Sequence, residues 1–256
     1  MDMTLQQQKA QGGASGYLTI DLAALRDNYL TLASKAPHAL TSAVVKADAY
    51  GLGADIVAPV LYDAGCRHFF VAHIDEALSL RLHIAPDAKI FVLNGLQPGN
   101  ETSCSALNII PVLNSLEQVA QWSAQAAVLG KTLPAALQID TGMSRLGLAP
   151  YEVERLLETP AMLKGIDLAC IMSHLACADE PDHEANALQL NVMRKTTEQF
   201  PGVPVCFANS GGIFLGTDYH NALMRPGIAL YGGAPSAVHP NPMKPVVSLS
   251  VAVVQT

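Results

Sequence analysis

Ser42-Ala43-Val44-Val45-Lys46-Ala47-Asp48-Ala49-Tyr50-Gly51-Leu52-Gly53 is the stretch on which the reading of the whole chain turns. The short apolar run Ala43–Val45 has the character of a buried parallel strand. Lys46 falls where that strand ends, a polar turn with glycine follows, and a helical pattern begins near Asp55. An ammonium at the end of a buried strand is costly to desolvate unless it is paired or neutral. A lysine whose pKa is depressed by burial becomes a nucleophile able to form a Schiff base. The ordinary alternative is a lysine that snorkels from the strand end to water.

Outward from this stretch, apolar runs recur at Phe69–Ala72, Ile90–Leu93, Ile109–Leu113, Ala135–Ile139, Leu168–Met172, Val205–Ala208 and Ala222–Met224. Helical patterns separate most of them, over Asp55–Ala64, Asp75–His83, Leu116–Leu129, Tyr151–Glu158 and Glu184–Gln199. Before the first run come a short strand at Tyr17–Ile20 and a helix, capped by Asp21, that runs to about Ser34. Ser115 and Gln118 have the spacing of a capping box. Eight buried strands alternating with helices in one domain predict a (β/α)8 TIM-like barrel. An open doubly wound sheet is the competing architecture. No GxGxxG follows the first strand, which counts against a dinucleotide fold.

Composition narrows the partners. Net charge is −7 with 15 basic residues and no basic cluster, so nucleic acid is not expected. No apolar run approaches the ~18 residues of a membrane span. Residues 1–15 are polar, include Gln6-Gln7-Gln8, lack a signal-peptide core and read as a disordered leader. The five cysteines, Cys66, Cys104, Cys170, Cys177 and Cys206, are scattered and odd in number, as in a reduced cytoplasmic protein. His174, Cys177, Asp179 and His183 match no common zinc spacing, so no metal is expected.

Functional groups of such a barrel gather at the C-terminal ends of its strands. Val45-Lys46-Ala47-Asp48-Ala49-Tyr50-Gly51 closely resembles the pyridoxal-phosphate (PLP) lysine motif of the bacterial alanine racemases, barrel enzymes of fold type III. The resemblance implies that Lys46 carries the cofactor as an aldimine and acts as one of two bases, and that Tyr50 helps hold the phosphate. Asp140-Thr141-Gly142-Met143-Ser144-Arg145-Leu146-Gly147 is similar to a further racemase segment. Its arginine contacts the cofactor and the substrate carboxylate, a role that falls to Arg145. A guanidinium fork suits a carboxylate because two parallel donors meet two oxygens. Gln138 departs from the pattern. Many relatives have a carbamylated lysine there; glutamine cannot be carbamylated, but its amide oxygen can accept from Arg145, or a bound anion such as chloride can supply the missing charge. The resemblance also sets His174 against the pyridine ring. Asn209, Ser210, Gly211, Gly227 and Ile228 become a phosphate cradle, and Arg225 in Arg225-Pro226-Gly227-Ile228-Ala229-Leu230-Tyr231-Gly232 becomes the donor to the ring nitrogen.

Gly232–Pro245 reads as a linker, and Val246–Val254 alternates like a strand with no partner left in the sequence. The expected organisation is therefore a leader over 1–15, a PLP-binding barrel over 16–240, and over 241–256 the start of a truncated C-terminal β-domain. The implied activity is interconversion of L- and D-alanine, supplying D-alanine for peptidoglycan, by a homodimer in the full-length protein. The alternatives are a related amino-acid decarboxylase, a one-domain PLP-binding homeostasis protein, and a barrel without chemistry.

Overall fold

The structure is a computed structural model describing residues 15–253 and 255. The expected leader thus lies outside the described residues apart from Ser15. The strands are β1 (Gly16–Ile20), β2 (Leu40–Thr41), β3 (Ala43–Val44), β4 (His68–Val71), β5 (Lys89–Val92), β6 (Ile109–Leu113), β7 (Leu133–Gln138), β8 (Ile166–Met172), β9 (Val205–Cys206), β10 (Leu223–Met224) and β11 (Val247–Val251).

Nine of these strands form one sheet in the order β2-β10-β9-β8-β7-β6-β5-β4-β3. Every neighbouring pair in it is parallel. β2 and β3, at its two ends, are halves of one strand interrupted at Ser42. β2 pairs with β10 and β3 with β4, so the sheet closes into an eight-stranded barrel, as the sequence predicts. Ser42 seals the junction: its amide and its hydroxyl both donate to the Met224 carbonyl, at 2.9 and 2.7 Å.

The strands are apolar on both faces because each faces two cores. Outward residues such as Phe69, Ile90 and Leu137 pack under the helices. Inward residues Val44, Phe70, Phe91, Ile110, Val112, Ala136, Cys170, Met172, Cys206 and Leu223 fill the lumen. Phe70 and Phe91 stack there with centroids 4.5 Å apart. The lumen is thus a packed floor and not a pore.

Helices follow the predicted pattern, at Leu22–Ser34, Ala54–Asp63, Ile74–Arg81, Leu116–Leu129, Pro150–Glu158 and Glu184–Thr197. Asp21 caps the first by accepting from the Ala24 amide at 2.9 Å. At the helix that begins at Leu116 only half of the expected capping box forms. Ser115 Oγ accepts from the Gln118 amide, while the Gln118 carbonyl oxygen takes the Asn114 N–H instead. A short helix at Glu101–Ala106 was not signalled by any apolar period.

The C-terminal strand does have a partner, against expectation. β11 pairs antiparallel with β1, Gly16 opposite Val251 through Ile20 opposite Val247. The first strand of the chain therefore lies outside the barrel. Alternation marks a strand but says nothing of which distant strand it meets.

One buried polar residue ties this region together. Asn28 is 1% exposed. Its amide nitrogen donates to the Leu230 and Lys244 carbonyls, and its carbonyl oxygen accepts from the Lys244 amide. Replacing Asn28 by Leu strands these backbone groups, at about 1–3 kcal/mol for each one left buried without a partner. The variant is expected to lose at least ~2 kcal/mol in urea unfolding, and a loss below the scatter of surface variants would contradict the role given to Asn28.

Candidate active site

Every residue singled out as a site residue from the sequence lines one cavity of about 570 Å³ at the C-terminal end of the barrel strands. Lys46 enters it directly after β3. The segment that follows is not the ordinary polar turn expected. Ala47, Asp48, Ala49 and Tyr50 all have left-handed backbone angles, φ between 52° and 57°. For non-glycine residues this costs roughly 1–2 kcal/mol each, so the surroundings must hold it. Ala49 is buried and its amide donates to Val45 O, while Asp48 accepts from the Gly53 amide through its carbonyl and from the Ala54 amide through its carboxylate. Tyr50 lies against Tyr231, centroids 4.7 Å apart.

Glu76 is the clamp the sequence did not reveal. One carboxylate oxygen accepts from the Ala47 amide at 2.6 Å. The other accepts from the amides of Ala72 (2.6 Å) and His73 (3.1 Å), at the start of the helix Ile74–Arg81. A single carboxylate thus joins the strained lysine turn to the end of β4. The capping-box spacing His73–Glu76 was the only signal that could have pointed to it.

The segment after β7 forms a tight loop that carries Arg145. Asp140 accepts from the amides of Gly142 and Ser144, and the loop returns through Leu148, whose amide donates to Gln138 O. Gly147 is required where it stands, with φ at +110° and no room for a Cβ within 2.8 Å of the Ile139–Asp140 backbone. Gln138 lines the cavity, but its amide nitrogen donates to Leu146 O at 3.2 Å. The bond that this amide oxygen could accept from Arg145 is not formed; Arg145 is exposed and its guanidinium has no protein hydrogen-bond partner among the described residues.

Arg225, by contrast, is buried. It donates to Ser173 O at 2.8 Å, His174 Nδ1 at 3.0 Å and Cys206 Sγ at 3.0 Å. Because a guanidinium only donates, His174 accepts on Nδ1 and keeps its proton on Nε2. Burial, then the charges of Arg225, Arg145 and Lys46, push the imidazole down to about 3, so it is neutral. Gln189 holds this loop: its side chain donates to His174 O and Thr141 Oγ1 and accepts from the Ala176 amide.

Burial also lowers Lys46, as do Arg145 and Arg225, against the opposing pull of Glu76. Cations therefore dominate the cavity, whose lining includes one carboxylate residue, Asp179. Among the described residues no three His, Cys, Asp or Glu side chains converge as metal ligands would.

At the far wall, Ser210 Oγ accepts from the amides of Gly227 and Ala229, at 2.9 and 3.2 Å. Asn209 bridges Leu175 O and the Gly212 amide. A Cβ on Gly227 would sit 2.5 Å from the Tyr50 hydroxyl, and one on Gly211 would meet Ala178 O. A single 3-10 turn, Gly212–Phe214, follows Gly211. Serine, tyrosine and asparagine groups with close glycine backbones thus surround a space facing the lysine. This donor set fits an anionic group attached to a carbonyl compound.

Residues 20–235 match the family described as "Alanine racemase, N-terminal domain", and the chain belongs to that family. It is 72% identical over 256 residues to a protein named "Alanine racemase, catabolic" from Agrobacterium fabrum, covering 100% of this chain and 66% of the relative. A protein of the same name from Rhizobium johnstonii is 58% identical, covering 95% and 65%. The chain thus spans a little under two thirds of the length of these relatives. A solved alanine racemase from Bartonella henselae with covalently bound pyridoxal phosphate is 44% identical, with a TM-score of 0.91 over 94% of this chain and 67% of that one.

Glu76→Ala should release the Ala47 amide and loosen the left-handed turn. Amide exchange at residues 47–50 is expected to quicken about tenfold, the equivalent of ~1.4 kcal/mol, with the barrel strands unchanged. Equal protection in both proteins would show that the turn holds without the clamp.

Proposed function

We propose that this chain is the cofactor-binding barrel of a PLP-dependent alanine racemase, the barrel lying within residues 16–240, with 241–256 beginning a second, β-rich domain to which β1 is joined through β11. The observation that carries this reading is the convergence of Lys46, Arg225 and the Tyr50–Ser210–Gly227 cradle on one cavity, in a chain of the family named above. Pyridoxal phosphate, when bound, supplies a carbonyl for an amine and a conjugated ring that takes up negative charge from the α-carbon.

The residues divide the work by their chemistry. Tyr50, Asn209, Ser210, Gly211, Gly227 and Ile228 would hold the phosphate. Lys46 would hold the carbonyl carbon and, once freed by the substrate amine, take up or return the α-proton. Its lowered pKa keeps the amine available as a base. Arg145, exposed at the cavity and unpaired among the described residues, would bind the substrate carboxylate. Arg225 would donate to the ring nitrogen, with His174 behind the ring. A permanent cation there disfavours protonation of that nitrogen. The ring then draws less charge from the α-carbon, which favours return of the proton to the same carbon over side reactions.

Racemisation needs a second acid–base group on the opposite face. Tyr231 does not supply it: its hydroxyl is buried, donates to Val44 O at 2.9 Å, and is raised well above the usual phenol range by burial and by Tyr50. The resemblance assigns that group to a tyrosine of the partner subunit, so the complete protein is proposed to be a cytoplasmic homodimer. Among the described residues no helix is long and apolar enough to cross a membrane.

D-alanine and L-alanine have equal free energies, so the direction of use follows supply and demand. The reading from sequence is supply of D-alanine for peptidoglycan. The word "catabolic" in the names of both rhizobial relatives favours the reverse, consumption of D-alanine.

Borohydride reduction of the chain with pyridoxal phosphate should fix the cofactor to Lys46. Lys46→Ala should lose that attachment, and equal labelling of the variant at the same position would refute the lysine assignment. A further expectation concerns turnover. The 256-residue chain should racemise L-alanine at least ~10²–10⁴-fold more slowly, per bound cofactor, than its longer relatives. Comparable turnover would require a second base within these residues.

A further inference from the structure

Arg225 presents a problem of charge. Its guanidinium is only 3% exposed. A buried cation without a counter-ion is costly. Among the described residues no carboxylate lies within salt-bridge distance of it. Its acceptors are a backbone carbonyl, the neutral imidazole of His174 and the sulfur of Cys206, with the Phe70 ring 5.7 Å away. Of these, Cys206 alone can carry negative charge.

The surroundings of Cys206 favour that charge. It sits on β9 in the lumen floor, wholly buried. β8 brings Cys170, likewise buried, into the same lumen wall, and β10 leads into Arg225, 3.0 Å from its sulfur. Apolar Leu223 and Phe70 complete the wall. Above lie neutral His174 and the cations Lys46 and Arg145 of the cavity; Lys89 of β5 acts on Cys170. Burial alone would raise the Cys206 thiol, but Cys170 and Arg225 beside it outweigh that and bring it below its usual value. Cys170 moves the other way, well above its usual value, because Cys206 beside it and burial both oppose its ionisation.

We propose that Cys206 is held as a thiolate, the counter-ion of Arg225, and that this pair positions the guanidinium for its role as donor to the ring nitrogen. The second half rests on the function proposed above. Cys206 gives its proton to solvent, while Cys170 keeps its own. Cys206 is thus a positioning residue that acts through Arg225. It also makes the donor at the ring nitrogen sensitive to pH: acidification protonates the sulfur and leaves the guanidinium without a counter-ion.

The test begins with the cofactor-free chain and the ultraviolet absorbance of thiolate. One cysteine should ionise below the ordinary cysteine range in the wild type. The step should vanish in Cys206→Ser and Cys206→Ala and persist in Cys177→Ser, which removes the one partly exposed thiol. Absence of thiolate below the ordinary cysteine range near ~8.5, or a step that survives both Cys206 variants, would overturn the ion pair. The chain loaded with pyridoxal phosphate then tests positioning. Its cofactor absorption should change with pH over the range in which that thiol ionises, and become insensitive to pH there in Cys206→Ser. A role in packing alone would leave the absorption unmoved in both, which refutes positioning. Failure to take up cofactor would refute positioning together with the cofactor reading, whereas the thiolate titration decides the ion pair by itself.

Discussion

Closure of the barrel through its first strand is the constraint from which the rest follows. β2 and β3 carry one short strand past Ser42, and each half pairs with a different edge of the sheet. Edges left open would expose unpaired amides and carbonyls. Closure removes them and fixes Val45 at the rim, where its amide donates to Phe70 O. Lys46 is therefore positioned by backbone hydrogen bonds to both neighbours. The left-handed turn behind it is affordable only because that anchor, Glu76 and the Tyr50–Tyr231 contact restrain it from three sides.

The cavity concentrates positive charge over an apolar floor. Lys46, Arg145 and Arg225 repel one another, and their mutual charge lowers Lys46 and His174 together with burial. Such a site is costly for folding and suited to an anionic ligand, because each group is already oriented before any ligand arrives. The three cations are held differently. Arg225 is locked by three acceptors, Lys46 is fixed through its backbone, and Arg145 stands on a loop with its guanidinium uncommitted. That gradient runs from a rigid end at Arg225 to an adaptable one at Arg145.

Much of this was legible in the sequence, because local rules govern it. The eight apolar runs became the barrel strands, since a strand buried on both faces must be apolar throughout. The segments around Lys46, Arg145, His174, Asn209 and Arg225 were readable as strand-end motifs, and all reach one cavity because a closed parallel barrel brings all such ends to one rim. Alternation, however, gave β11 no partner, and the bond that the Gln138 oxygen could accept from Arg145 is absent, the amide nitrogen donating to Leu146 O.

The sequence by itself determined the period, the strand ends and the residue types available for chemistry, because these depend on neighbours a few positions away. Only the tertiary structure decided what meets across the barrel. It set β1 against β11, Asn28 against Lys244, Glu76 under the lysine turn, and Cys206 beneath Arg225. Each of these contacts satisfies a buried or strained group with a partner far away in the chain. The need for a partner is visible in one segment at a time, whereas its identity depends on how the sheet closes.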